Sequence, residues 1–173
     1  MMHGTIKQHY LAVSRLENPE NYDGLPKLEN DLRRLRIWRY PSFATISSWA
    51  VFGLGKNIVV RRLEWDRSTE FPSQTELRQV YGAQSSITEN EFNFLMSELA
   101  EIEFRPLIEH QAVMCDGTEY GVEVGHGSFS RSISWHHVPS QGWEKLASWH
   151  QKAIEKLDSL LPESTCRLNE KNG

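Results

Sequence analysis

Apolar residues recur at the 3.6-residue spacing of an amphipathic helix in three stretches of the chain. These stretches predict helices near the N-terminus, over 88–103 and over 140–161. Thr88 followed by Glu91 forms a capping-box signature, which supports the start of the second helix. The third helix carries the longest apolar stripe, and one histidine takes part in it: Trp143, Leu146, Ala147, His150, Ile154, Leu157, Leu161.

Runs with high strand propensity lie between the first two predicted helices. The runs 44–52 and 58–65 flank a Gly-containing connection, a pattern typical of a hairpin. Residues 37–40 predict a further strand that leads into Pro41. The leucines before that strand leave a short helix open as an alternative: Leu28, Leu32, Leu35. The polar stretch 67–86 is predicted to be a long loop.

The most regular alternation of apolar and polar residues lies between the second and third helices. Two tight-turn dipeptides, Asp116-Gly117 and His126-Gly127, predict a three-stranded antiparallel meander over 110–137, with Val124 opposite Phe129. One face is then apolar: Val113, Tyr120, Val124, Phe129, Ile133, Trp135. The other is polar: Glu119, Glu123, Ser130, Ser132, Ser134, His136. A slip by one residue would exchange the two faces.

This order of elements predicts an α+β fold. We expect a mostly antiparallel sheet of about six strands with two or three helices packed on one face. A chain of 173 residues is typical of one domain. The sequence therefore predicts a single domain over 1–173, with 162–173 a frayed polar tail.

Composition and charge narrow the classes of function. The net charge of −4 predicts that nucleic acid is not a partner, because phosphate binding relies on a basic surface. Neither an apolar stretch long enough for a membrane span nor a signal-peptide core is visible, so we expect no membrane partner. Cys115 and Cys166 are the only cysteines, which favours a reducing, cytoplasmic location over a disulfide framework.

Residues 129–150 contain three tryptophans and three histidines, a density typical of either a metal site or a packing seam. His136 and His137 are adjacent on a predicted strand, so their side chains point to opposite faces. His137 and His150 are expected to face the helix–sheet interface, beside Trp135. A zinc site needs three or four ligands, and the cysteines do not supply them. We therefore predict buried, neutral histidines at a packing seam, without a metal or cofactor.

The polar face of the predicted meander holds the candidate site residues. Three of them have acid–base chemistry: His110, Glu123, His136. They lie on a flat strand surface without a nucleophile elbow or oxyanion donors, so no catalytic residue is assigned. A small hydrolase or metal-dependent enzyme using this face stays open as an alternative. Small side chains on the same face form a candidate binding strip: Ala112, Gly121, Ser132, Ser134. We expect the face to be solvated unless a partner covers it.

Seven arginines and the general layout of 110–161 complete the sequence-based prediction. The arginines are expected to pair with nearby acids rather than to bind phosphate: Arg33, Arg34, Arg36, Arg39, Arg61, Arg62, Arg67. The succession of a DG turn, a strand reaching ISWHHVP and a tryptophan-led helix resembles small bacterial α+β proteins, some toxin-neutralising immunity proteins among them. The absence of a clustered catalytic set and the acidic net charge favour a protein partner. The sequence predicts a non-enzymatic protein-binding domain, with a second copy of the chain or a toxin-like protein as possible partners.

Overall fold

The structure is a computed structural model that describes residues 2–65, 80–103, 117–125, 127–164 and 166, with side chains from Tyr10 onward. The helices in these ranges are α1 (Met2–Glu17), α2 (Glu89–Ala100) and α3 (Glu144–Ser159). The strands are β1 (Arg33–Pro41), β2 (Ile46–Phe52), β3 (Ile58–Trp65), β4 (Val80–Ile87), β5 (Thr118–Val124) and β6 (Arg131–His136). Short 3₁₀ turns lie at Pro19–Asn21 and Gly127–Phe129.

The strands form one sheet in the order β4-β3-β2-β1-β5-β6, and every neighbouring pair is antiparallel. This arrangement, with its three helices, confirms the predicted α+β class. Helices α2 and α3 pack on one face, which we call the helix face. Helix α1 packs on the opposite face, which we call the outer face. Among the described helices, none has the length and apolar character to cross a membrane.

Tryptophan side chains dominate the core on the helix face. The apolar stripe predicted for α3 is buried there against Ile37 and Trp49. Trp149, one position outside that stripe, is also buried, and its Nε1 donates a hydrogen bond to the Leu95 carbonyl oxygen of α2 at 3.1 Å. An indole N–H needs such an acceptor when it leaves water. The second helix begins at the predicted capping box, with Thr88 as N-cap.

A smaller core joins α1 to the outer face. Ala12 and Leu16 of the helix pack against side chains of β2, β3 and β4: Ile46, Leu63, Trp65, Val80. The predicted N-terminal helix is therefore confirmed. Apart from the 3₁₀ turn at Pro19–Asn21, the segment between α1 and β1 is not helical, and Leu35 lies in β1. The alternative of a short helix through Leu28, Leu32 and Leu35 is therefore wrong. Ser164 and Cys166, which lie in the predicted polar tail, are buried.

Strand β4 was missed by the sequence analysis, which placed 80–86 in a loop. The strand reads VYGAQSSI, with a glycine and two serines where a typical strand has β-branched or aromatic residues. Only its terminal residues Val80 and Ile87 are buried. An edge strand of this kind carries a weak apolar pattern, and its pairing with β3 decides its structure. Residues 67–79 of the predicted loop lie outside the described ranges.

The predicted hairpin of β5 and β6 exists, but its register is different. Val124 lies opposite Arg131 instead of Phe129, a shift of two residues. The connection is correspondingly longer than a two-residue turn and contains the Gly127–Phe129 turn. Because side chains alternate with a period of two, this shift leaves every strand residue on its predicted face. Tyr120 and Trp135 therefore share the helix face, as expected.

The other neighbour of β5 is β1, which pairs with it from Leu35–Val124 to Pro41–Thr118. Since β1 and β6 occupy both edges of β5, the predicted pairing of β5 through the Asp116-Gly117 turn is wrong. Local turn signals indicate pairing with the strand that is nearest in sequence. The observed pairing of β5 with β1 instead buries Ile37 beside Val122 in the common core. Residues 104–116, with Val113, lie outside the described part of the chain.

Candidate functional site

His150 lies at the centre of the helix-face seam and is 2% exposed. Its Nε2 is 3.1 Å from the Trp38 carbonyl oxygen and 3.2 Å from the Gly121 carbonyl oxygen. Both partners can only accept, so Nε2 carries the proton and donates to both. The ring meets those of Tyr120 and Trp135 edge-on, at 5.6 and 5.1 Å between centroids.

Burial is the main cause that lowers the pKa of His150 to about 4, against the opposing effect of the two backbone hydrogen bonds. The nearby Arg39 charge lowers the pKa further. A low-dielectric environment disfavours the imidazolium form, which explains the direction. The prediction of a buried, neutral histidine at this position is confirmed.

His137 does not join His150, and the prediction that it faces the seam is wrong. It is exposed, follows the end of β6 and has a left-handed backbone with φ 55°. Its backbone N–H donates to the Thr118 carbonyl oxygen at 2.8 Å, which ends the pairing with β5. Within the described ranges, no group of three or more His, Cys, Asp or Glu side chains is placed to hold a metal ion.

Glu123 is held between two arginines on the outer face. Its carboxylate is 3.1 Å from Nη2 of Arg33 and 3.2 Å from Nε of Arg36. The three side chains are only 11–13% exposed, so the expectation of a solvated face is wrong at this place. Arg33 also contacts the Glu20 carboxylate at 3.3 Å. We call Arg33, Arg36 and Glu123 the carboxylate clamp.

Most of the remaining arginines also have internal partners, as the sequence predicts. Arg34 pairs with Glu89, and Arg62 pairs with Glu64 and Asp158. Arg61 instead donates to the Gln84 side chain and to backbone carbonyl oxygens. The acids are mostly distant in sequence, unlike the local partners that we expected. Arg67 lies outside the described residues.

The structure does not bring Glu123 and His136 together. Glu123 lies opposite Ser132 in the β5–β6 pairing, whereas His136 lies opposite Glu119. Four residues along an antiparallel strand correspond to about 13 Å, too far for a shared proton or metal ion. His136 is exposed, and His110 lies outside the described ranges. The three residues of the acid–base alternative therefore form no cluster in the part that the structure describes.

Gly121 of the candidate binding strip is used for internal packing. A Cβ atom at this position would lie 2.0 Å from Cζ2 of Trp38, so only glycine fits beneath the indole. The indole ring also meets the Arg36 guanidinium, 4.3 Å from the ring centroid, and its Nε1 donates to Glu119 at 2.9 Å. Ser132 and Ser134 are exposed, and Ala112 lies outside the described ranges.

Ser132 and Ser134, the exposed residues of that strip, are part of an open sheet edge that the sequence pattern alone does not indicate. The bond from His137 N–H to Thr118 fixes the phase of the β5–β6 hydrogen bonds. In antiparallel strands these bonds alternate, so Arg131, Ile133 and Trp135 bond to β5. The intervening residues point their backbone N–H and C=O groups away from β5: Ser132, Ser134, His136. We call these outward backbone groups the β6 edge.

The two edge strands of the sheet differ in what covers them. On β4, the Tyr22 hydroxyl donates to the Val80 carbonyl oxygen, and Tyr22 and Leu25 pack on the outer face at Gly82. No described residue pairs with the β6 edge in this way. The sequence pattern that accompanies this edge is the alternation of serine with larger residues in SISWH. The same alternation is typical of a strand inside a sheet with one solvated face, so it does not identify an edge.

No protein-family model, no curated protein and no solved structure has significant similarity to this chain. Functional inference therefore rests on the geometry of the described residues.

Proposed function

We propose that this chain is a non-enzymatic protein-binding domain that accepts an extended segment of a partner protein as an added strand on β6. The observation that carries the proposal is the β6 edge. Ser132, Ser134 and His136 direct backbone donors and acceptors outward, and no described strand uses them. An extended peptide backbone satisfies such a row, as in other domains that bind by strand addition.

The side chains of β6 support this function. Natural edge strands are usually protected by lysine, proline or a bulge. Between Arg131 and His136 there is no lysine or proline, and the register with β5 has no irregularity. Exposed apolar residues flank the strand, since Phe129 is 87% and Val138 is 62% exposed. Apolar residues beside an open edge are suited to hold a peptide in place.

The state of the acidic residues favours this function over acid–base catalysis. Both Glu123 oxygens already accept hydrogen bonds from guanidinium groups. A general base must instead have a free oxygen within reach of the substrate proton. The distance between Glu123 and His136 is a further argument against a shared catalytic role.

Panning of a phage library of extended peptides, about ten residues long, against the immobilised chain tests the proposal. We expect the selected peptides to bind the wild type and Ser134→Ala equally, and Ser134→Pro at least about tenfold more weakly. Proline removes one outward N–H from the edge while leaving the β5–β6 hydrogen bonds intact, so folding is retained. Alanine keeps the N–H and is the matched control. Equal binding to the proline variant, or no selected peptide, would contradict the proposal.

A further inference from the structure

We infer that a second copy of this chain is a partner of the β6 edge, with the two β6 strands antiparallel around a two-fold axis at Ile133. The two sheets then form one continuous sheet. This inference rests on the proposed function, because it uses the same edge, and it adds the identity of the partner. Two-fold dimers use the same surface on both subunits, so the strand must be complementary to itself.

The backbone of β6 meets this requirement. With Ile133 on the axis, Ser132 lies opposite Ser134 of the second copy, and Ser134 lies opposite its Ser132. Both serines have outward backbone groups. Each opposed pair can therefore exchange both of its N–H···O bonds. A register shifted by one residue would place inward-bonded residues opposite outward ones and lose these bonds.

The side chains agree with the same register. The two Ile133 side chains meet as a non-hydrogen-bonded pair, in which side chains approach most closely. Ile133 is half-buried in the single chain, and the contact would bury its remaining apolar surface. Arg131, the only formally charged residue of β6, lies opposite Trp135 of the second copy. The two arginines are then about 13 Å apart along the strands, so like charges are not opposed.

Charge is complementary at the ends of this pairing. Trp135 contacts the ring of Trp143 edge-on, at 6.5 Å between centroids, and Glu144 follows at the start of α3. Hydrogen bonds from its own backbone and from that of Gly142 lower the pKa of Glu144, so the carboxylate is negative near neutral pH. Antiparallel pairing brings Arg131 of one copy to this end of the other.

The exposed apolar residues at the ends of β6 are also matched by the two-fold axis. Antiparallel pairing brings the Phe129 end of one β6 strand to the Val138 end of the other. Phe129 and Val138, both largely exposed in the single chain, then lie next to each other at both ends of the interface. One short strand pair with these flanks makes a small interface, and interfaces below roughly 1,200 Å² are typical of weak, transient contacts. We therefore expect a reversible dimer with a dissociation constant on the order of micromolar.

Sedimentation velocity of the full chain from about 1 to 300 µM measures this association. We expect the wild type and Ser134→Ala to form the dimer with the same dissociation constant. Ser134→Pro should raise that constant at least about tenfold by removing edge hydrogen bonds. Phe129→Ser should raise it about tenfold by removing an apolar contact. Phe94→Ser is the matched control, because Phe94 is exposed on α2, away from β6, and its replacement should change nothing.

Three results would overturn the inference. The first is a chain that remains monomeric over the whole concentration range. The second is a dimer whose dissociation constant is insensitive to Ser134→Pro and Phe129→Ser. The third is a dimer that Phe94→Ser abolishes. Hydrogen exchange of the Ser134 amide adds one measurement. If this amide is protected in a monomer, another part of the same chain covers the β6 edge, and the inference is wrong. If the chain is monomeric but selected peptides still lose affinity for Ser134→Pro, self-pairing is wrong and the proposed function stands. If both experiments fail, both proposals are wrong.

Discussion

His150 on the helix face and the carboxylate clamp on the outer face bury polar groups in different ways. On the helix face, His150 is enclosed by apolar rings, and its proton is shared between two backbone carbonyl oxygens. On the outer face, the carboxylate clamp encloses charges that neutralise each other. A neutral ring costs little to bury once its N–H has an acceptor, whereas a buried charge requires an opposite charge. We therefore expect His150 to make stability depend on pH, and the carboxylate clamp to make it depend on a single charge.

The largest effect is expected from Glu123→Ala, which leaves Arg33 and Arg36 facing each other without the carboxylate. Breaking a largely buried pair by removing one partner costs about 3–5 kcal/mol, and the partial exposure of the clamp favours the lower value. Urea denaturation measures the change in the free energy of unfolding. Ser132→Ala is the matched control, since Ser132 lies opposite Glu123 on β6 and is exposed, and it should change stability by less than about 0.5 kcal/mol.

A loss below about 1 kcal/mol for Glu123→Ala would mean that solvent screens the clamp as it screens a surface pair. The clamp would then be a weaker contributor to stability than its burial indicates.

The contrast between His150 and the carboxylate clamp also explains what the sequence could predict. Helical periodicity was sufficient to place His150 among Trp143, Leu146 and Ile154 in the buried seam. The faces of β5 and β6 were predicted correctly although their register was not, because a shift of two residues preserves side-chain direction. These predictions depend on local patterns, which one sequence contains.

The carboxylate clamp depends on partners that are distant in sequence. Glu123 is separated from Arg33 by 90 residues, and the two meet only because β1, rather than the nearest segment, pairs with β5. Strand β4 was missed for the same reason, since its structure follows from pairing with β3. The outward phase of the β6 edge likewise requires the observed register. Many acidic residues could pair with an arginine-rich segment such as RRLRIWR, and the sequence pattern alone does not identify the partner.

The next largest effect is expected in the pH dependence of stability, through His150 on the helix face. Because the folded-state pKa of His150 is lowered to about 4, the unfolded chain binds a proton more readily than the folded chain does. Stability is therefore greatest above the unfolded pKa of about 6.5 and falls as pH decreases toward the folded pKa. Between about pH 7 and pH 5 this group should remove on the order of 2 kcal/mol from the free energy of unfolding.

Comparison of the wild type with His150→Leu isolates this contribution. The urea midpoint of the variant should decline less over the same range, while the contribution of other groups, such as the low-pKa carboxylate of Glu91, is common to both proteins. Leucine leaves the Trp38 and Gly121 carbonyl oxygens bonded within the β1–β5 pairing, so the variant should fold. Parallel pH curves for the two proteins would contradict the assignment of a buried neutral ring.

The smallest expected effect separates a single hydrogen bond from the clamp on the same face. Glu119→Ala removes the acceptor of the Trp38 indole N–H, and Trp38 is largely buried. One unmatched donor costs about 1 kcal/mol. This is less than the cost expected for Glu123→Ala, because Glu119→Ala does not remove the neutralising partner of a buried charge. His136→Ala, directly across β6, is the matched control and should stay within about 0.5 kcal/mol. If Glu119→Ala equals Glu123→Ala in urea denaturation, the outer face acts as one ionic network, and its stability cannot be assigned to the clamp alone.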